Sequence, residues 1–147
     1  MPVFERDNIR IYYEVHGEGF PVLLLAPGGM RSSIPIWKNT PYDAIEQLAP
    51  HFQVIAMDQR NAGKSTAPIA GTDGWRDYTD DQVALLDHLG IDRFHAAGMC
   101  IGGSFIMGLV EAVPERIASA VMLQPIGFAE NRQTFADLFD GWSEALK

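Results

Sequence analysis

Gly98-Met99-Cys100-Ile101-Gly102-Gly103 follows the β-prone run Arg93-Phe94-His95-Ala96-Ala97 and precedes the apolar segment Ser104-Phe105-Ile106-Met107-Gly108-Leu109-Val110. The order reads as strand, tight corner and helix, with one side chain thrown out at the corner. That side chain is a thiol. A nucleophile on so sharp a turn sits in strained backbone, and the residues two before and two after it must be small for strand and helix to pass closely. Gly98 and Gly102 occupy those positions. The helix N-terminus places the positive end of the peptide dipoles beside the sulfur, which favours thiolate over thiol. The backbone N–H of Ile101 points to where an oxyanion would form. A glycine-flanked cysteine alone reads as a small buried hydrophobe; the strand before it and the Gly-Gly and helix after it point instead to a nucleophile.

Working outward, Pro21-Val22-Leu23-Leu24-Leu25-Ala26 is a continuous apolar run of strand length, the pattern of a parallel strand buried on both faces. It ends in Pro27-Gly28-Gly29-Met30-Arg31-Ser32-Ser33, where adjacent glycines permit backbone N–H groups to turn inward at the carboxyl end of the strand. Arg31 reads as a solvated loop charge. Residues 3 to 15 alternate around Arg6-Asp7-Asn8 and predict a hairpin. Trp37 to Pro50 has helix-like spacing, and Phe52-Gln53-Val54-Ile55-Ala56-Met57 is the next strand. Thr79-Asp80-Asp81-Gln82 reads as a capping box opening a helix that Gly90 stops, with Asp77, Asp80 and Asp81 as partners of its dipole and His88 in its last turn. A helix from Gly102-Gly103 to about Val113 and a strand over Ala118 to Gln124 follow. Strands and helices alternate throughout, which predicts an α/β fold with a doubly wound, mostly parallel sheet.

The Gly98 to Gly102 corner resembles the G-x-S-x-G nucleophile elbow of the α/β-hydrolase fold, with Cys100 where most members carry serine. Asp58-Gln59-Arg60-Asn61-Ala62-Gly63-Lys64-Ser65 resembles that family's D-x-R-G-x-G-x-S turn, with Asn61 in place of the first glycine. Gly63-Lys64-Ser65 also mimics the tail of a phosphate-binding loop. Asp58 stands where that motif needs its first glycine, and Thr66-Ala67-Pro68 where it needs a helix. The resemblance implies that the loop after Ala26 supplies the second oxyanion-hole N–H, carried over to Gly29 with Met30 as its neighbour. The usual His-Gly start of that loop is replaced by Pro27-Gly28, which removes a bracing side chain.

The chemistry is incomplete within this sequence. Acyl transfer by a thiol needs an imidazole to move the proton and a carboxylate to orient it, in the order nucleophile, acid, histidine for this fold. The four histidines are His16, His51, His88 and His95, and none follows Cys100. His95 lies five residues earlier on an extended strand, roughly 16 Å of rise away. His16 and His51 read as surface residues. The family's later strands, which carry the acid and histidine, have no counterpart in these residues. Three explanations compete: part of a longer hydrolase, completion by another copy or chain, or a half-hydrolase without normal turnover. The leading expectation is a hydrolase of an ester, thioester or lactone carbonyl, with Cys100 as nucleophile and the N–H groups of Ile101 and Gly29 as oxyanion donors. The alternative is a noncatalytic binding or assembly module.

Composition bounds the partners. At 147 residues the chain is expected to be one domain, 1–147, with residues 130–147 starting a cap or partner-contact helix. That tail carries an apolar stripe of Phe135, Leu138, Phe139, Trp142 and Leu146. Eleven basic residues against nineteen acidic ones give a net charge of −8, which disfavours nucleic acid and anionic membrane surfaces. A single cysteine excludes an internal disulfide, and Met1 to Asp7 lack the features of a signal peptide, so a soluble, reducing, cytoplasmic setting is expected. No metal-ligand spacing is visible, and the resemblance implies no cofactor. A small-molecule substrate and a homo-oligomer, or completion by another chain, are the expected partners.

Overall fold

Strands β1 (Val3–Arg6), β2 (Ile9–His16), β3 (Pro21–Leu25), β4 (Gln53–Met57), β5 (Phe94–Met99) and β6 (Ile117–Leu123) form one sheet in the order β1-β2-β4-β3-β5-β6. The computed structural model describes residues 2–126. β1 and β2 are the expected hairpin, turning through Asp7 at φ 52°, and β2 lies antiparallel to β4. The pairs β3/β4, β3/β5 and β5/β6 are parallel, so the mostly parallel α/β sheet is as expected. Its helices are α1 (Ala44–Leu48), α2 (Trp75–His88) and α3 (Ile101–Ala112).

The apolar run of β3 is central in the sheet and buried on both faces, because α2 and α3 cover one face and the Trp37–Ala44 segment covers the other. Leu23 and Leu25 join Ile55, Met57 and Phe94 beneath α2 and α3, where Leu85, Leu86, Ile106 and Leu109 close the core. Leu24 and Val54 face the other way, against Trp37 and Ala44. Among the described residues β1 and β6 are the edge strands, and Ala118 through Met122 of β6 are exposed.

Two expectations are corrected. The Trp37 to Pro50 segment is not one helix: a 3-10 turn over Ile34–Asn39 precedes the short α1, whose N-cap Asp43 accepts from the Ile45 and Glu46 N–H groups. Pro41 lies between them and cannot donate to a helical ladder. Helix α2 opens one turn earlier than the Thr79 box, at Gly74, whose N–H donates to the Asp77 carboxylate at 2.8 Å. Thr79 is already inside the helix and donates back to the Trp75 carbonyl. The Phe135 to Leu146 stripe lies outside the described residues.

Candidate active site

Cys100 has φ 55° and ψ −117°, which an L-residue adopts only at a cost of about 1–3 kcal/mol when its surroundings over-determine it. The surroundings do so. Its N–H donates to the Leu123 carbonyl at 2.9 Å, and its carbonyl accepts from Gly103 at 3.0 Å and Ile126 at 3.4 Å. The Ser104 hydroxyl donates to the Ile126 carbonyl, tying the first turn of α3 to the segment after β6. The flanking glycines are required sterically. A Cβ on Gly98 would lie 2.6 Å from the Gly102 carbonyl carbon, one on Gly102 would run into the Leu25 carbonyl oxygen, and one on Gly103 would come within 2.7 Å of Pro125. The corner is therefore wedged between the ends of β3 and β6, with Cys100 partly exposed.

The loop after β3 starts beside it, because Leu25 is in register with Gly98. Gly28 (φ 117°) and Gly29 (φ 59°) turn the chain into a 3-10 turn over Gly29–Arg31. The first N–H groups of that turn and of α3 have no intrahelical acceptor by position. In place of the missing histidine brace, the Ser32 hydroxyl donates to the Ala26 carbonyl at 2.7 Å, and the Gln59 N–H donates to the Ser32 carbonyl at 3.0 Å. Cys100, Ile101 and Gly29 thus lie on adjacent loops at the carboxyl ends of neighbouring parallel strands, where open α/β sheets place their ligands. Arg31 is exposed, as expected.

The turn after β4 holds this end of the sheet together. The buried Asp58 carboxylate accepts from the Ile34 and Lys64 N–H groups, each at 2.8 Å, while Ser65 donates to the Asp58 carbonyl and accepts from the Tyr12 N–H. Lys64-Ser65 is thereby committed to structure. Asn61 adopts φ 58° where the family motif has glycine, and its side chain accepts from the Ala67 N–H at 2.8 Å; asparagine tolerates this left-handed conformation.

Arg60 corrects the reading of the α2 acids. Its guanidinium, largely buried, bonds Asp81 at 2.8 Å and lies 3.3 Å from both Asp73 and Asp77, while Arg6 reaches Asp81 at 3.3 Å. Asp81 is buried and Asp77 shared between Arg60 and the helix cap, so these two are more than dipole partners. Asp80 is exposed near Arg76. Asp58-Gln59-Arg60 marked the arginine, but nothing local in the sequence marked its partner 21 positions on.

The histidines lie elsewhere. His95 is the second residue of β5, in register with Val22; its ring packs tilted against Phe20 at 4.7 Å and edge-on to Phe52 at 5.9 Å, and shares a 2.7 Å hydrogen bond with Ser119. His88 lies against Phe4 and Tyr13, and His51 is exposed. His16 ends β2 and pairs with Glu14 at 2.8 Å, beside a groove of about 500 Å³ lined by Trp37, Lys38 and Glu46. Burial pushes the Glu14 carboxyl up, but hydrogen bonds from Tyr12 and His16 outweigh it, so its pKa lies below the ordinary glutamate value. A depressed folded-state pKa contributes stability that is present above the ordinary value and lost as pH falls through the folded one. Glu14→Gln is therefore expected to melt below the parent at neutral pH and to converge with it in acid. Thermal melts across a pH series check this, and a gap independent of pH would refute it.

The cysteine-bearing corner, the glycine loop beside it and the strand order define a class. Residues 21–146 match the family model of the alpha/beta hydrolase fold. The chain belongs to that family. It is similar to RutD of Azorhizobium caulinodans, a candidate carbamate hydrolase, with 36% identity over 123 residues covering 84% of this chain and 44% of that protein. It is similar to the carboxylesterase YbfK of Bacillus subtilis, with 30% identity over 105 residues covering 71% and 34%. Among solved structures, Est816, an N-acyl homoserine lactone degrading enzyme, superposes with a TM-score of 0.72 at 33% identity, covering 84% of this chain and 45% of that one. The chain spans less than half the length of each of these three proteins. Among the described residues no helix is long and apolar enough to cross a membrane.

Proposed function

We propose that this chain carries the nucleophile half of a hydrolase, in which the Cys100 thiolate attacks an ester, thioester or lactone carbonyl. The observation that carries the reading is the backbone of Cys100: a non-glycine residue held at φ 55° on a corner that three glycines make possible. Strain of this kind persists where a reactive side chain must stand clear of strand and helix. As the sulfur–carbon bond forms, the carbonyl π pair moves to oxygen, where the N–H groups of Ile101 and Gly29 receive the charge. Collapse expels the alkoxide or thiolate and leaves an acyl-Cys100. Deacylation needs a water activated by an imidazole, which we assign to a histidine outside these 147 residues or to a partner chain.

The test is intact-mass analysis of the 147-residue chain after exposure to an activated thioester from about pH 5 to about pH 9, with Cys100→Ala alongside. One acyl adduct, confined to Cys100 and absent from the alanine variant, is expected. Absence of that adduct in folded protein would remove the nucleophile from the proposal. A second reading, a noncatalytic assembly module, is favoured by the exposed β6 edge, where Val121 and Met122 are 52% and 38% accessible. Light scattering separates them in part: a strict monomer speaks against assembly. On the single cysteine and the net charge of −8 we assign a cytoplasmic setting and a small-molecule substrate, and on the exposed β6 edge a homo-oligomer or chain-completed state.

A further inference from the structure

Tyr78 contacts the helix that begins at Ile101 through Phe105, and the loop after β3 through Met30. Its ring stacks on Phe105 of α3, with centroids 5.0 Å apart at 25°, and Phe105 lies one turn beyond Ile101 in the same buried cluster. Its hydroxyl donates to Met30 Sδ at 3.6 Å, and Met30 adjoins Gly29 on the loop after β3. Trp75 packs edge-on against the same Phe105 at 5.8 Å, and the Arg60 guanidinium sits 5.9 Å from the Tyr78 ring centre. Tyr78 is only 7% exposed, although Met30 is 70% exposed. Burial pushes the phenol pKa up, so the hydroxyl stays a donor, and a thioether is a weak acceptor. Such a bond contributes little energy but fixes direction.

The loop after β3 is anchored at Ser32, whose hydroxyl bonds the Ala26 carbonyl and whose carbonyl accepts from Gln59, but Gly28 and Gly29 have no side chain to place them. Gly28 and Gly29 both have positive φ, a Cβ on Gly29 would meet nothing within 4 Å, and proline replaces the family's bracing histidine. An oxyanion hole works only when its donors lie within hydrogen-bond reach of one point, and small misplacements are costly. We infer that Tyr78 is a positioning residue that holds the Gly29–Met30 loop in register with the elbow helix. This rests on the proposed acyl transfer, because it concerns the two donors assigned there.

The experiment is single-turnover acylation of the 147-residue chain by an aryl thioester, followed by thiol release and by intact mass. The parent is compared with Tyr78→Phe, Met30→Leu and the double variant. Both substitutions nearly conserve volume, and melting midpoints report whether folding is retained. The maximal acylation rate is expected to fall about three- to fivefold in each single variant and no further in the double, with half-saturating thioester and melting midpoint unchanged. Unchanged rates in both single variants, or losses that multiply in the double, would overturn the inference while leaving Cys100 acylation intact. Failure of the parent to acylate at Cys100 would overturn the proposed function, and this inference with it.

Discussion

Gly102→Ala is expected to destabilise the fold by about 3 kcal/mol or more, which lowers the melting midpoint by roughly 10 °C. The added methyl would collide with the carbonyl oxygen of Leu25, with the Leu25 carbonyl carbon and Cβ at 3.0 and 3.3 Å. The obstacle is backbone of the central strand β3, buried on both faces, so neither it nor α3 can yield without opening the core. Helix propensity acts in the opposite direction, since alanine is favoured over glycine by about 1 kcal/mol inside a helix, but the collision outweighs it. Gly108→Ala is the control. It lies in the same helix, and its added methyl would meet the Thr79 hydroxyl, a side chain rather than backbone, which can turn away at the cost of its bond to the Trp75 carbonyl. Its midpoint is expected to stay within a few degrees of the parent. Equal midpoints for the two variants would show that the elbow is not wedged as described.

Arg60→Met is expected to cost about 3 kcal/mol at neutral pH, because it leaves a buried carboxylate without its main partner. Asp81 is almost fully buried and keeps only the Arg6 contact at 3.3 Å, while Asp73 and Asp77 lose their shared cation. Burial already pushes the Asp81 carboxyl above the ordinary aspartate value, against the pull of Arg60, and removing that pull raises it further. A raised folded-state pKa contributes stability that is present below the unfolded value and lost as pH rises through the folded one. The deficit of Arg60→Met is therefore largest at neutral pH and shrinks on acidification. Adding Asp81→Leu should restore most of the loss, as apolar replacement of both partners removes the stranded charge. Urea midpoints at two pH values measure both effects. A deficit that grows in acid, or a double variant no better than the single, would contradict this account.

The two variants also show what kind of information the chain displays locally. The elbow was legible because its requirements lie within five residues: a strand, a side chain at the corner and glycines two positions to either side. The buried strand β3 was legible because both faces demand apolar residues, and the hairpin because period-two alternation leaves few other structures. The Arg60 cluster was not. Three acids near a helix start satisfy the dipole rule equally well whether or not an arginine from a distant turn reaches them. Helix α2 likewise began at Gly74 because a backbone N–H there met Asp77, whereas Thr79 offered the same pattern one turn later.

By itself the sequence determined the fold class, the position of the thiol and that none of the four histidines within these 147 residues follows it. Those are properties of order and of local sterics. Only the tertiary structure decided that Cys100 is held at its strained φ by Leu123, Gly103 and Ile126, that the glycine loop abuts the elbow through Leu25 and Gly98, and that Tyr78 spans the two. Such contacts join residues far apart along the chain, and their existence depends on which strands become neighbours in the sheet.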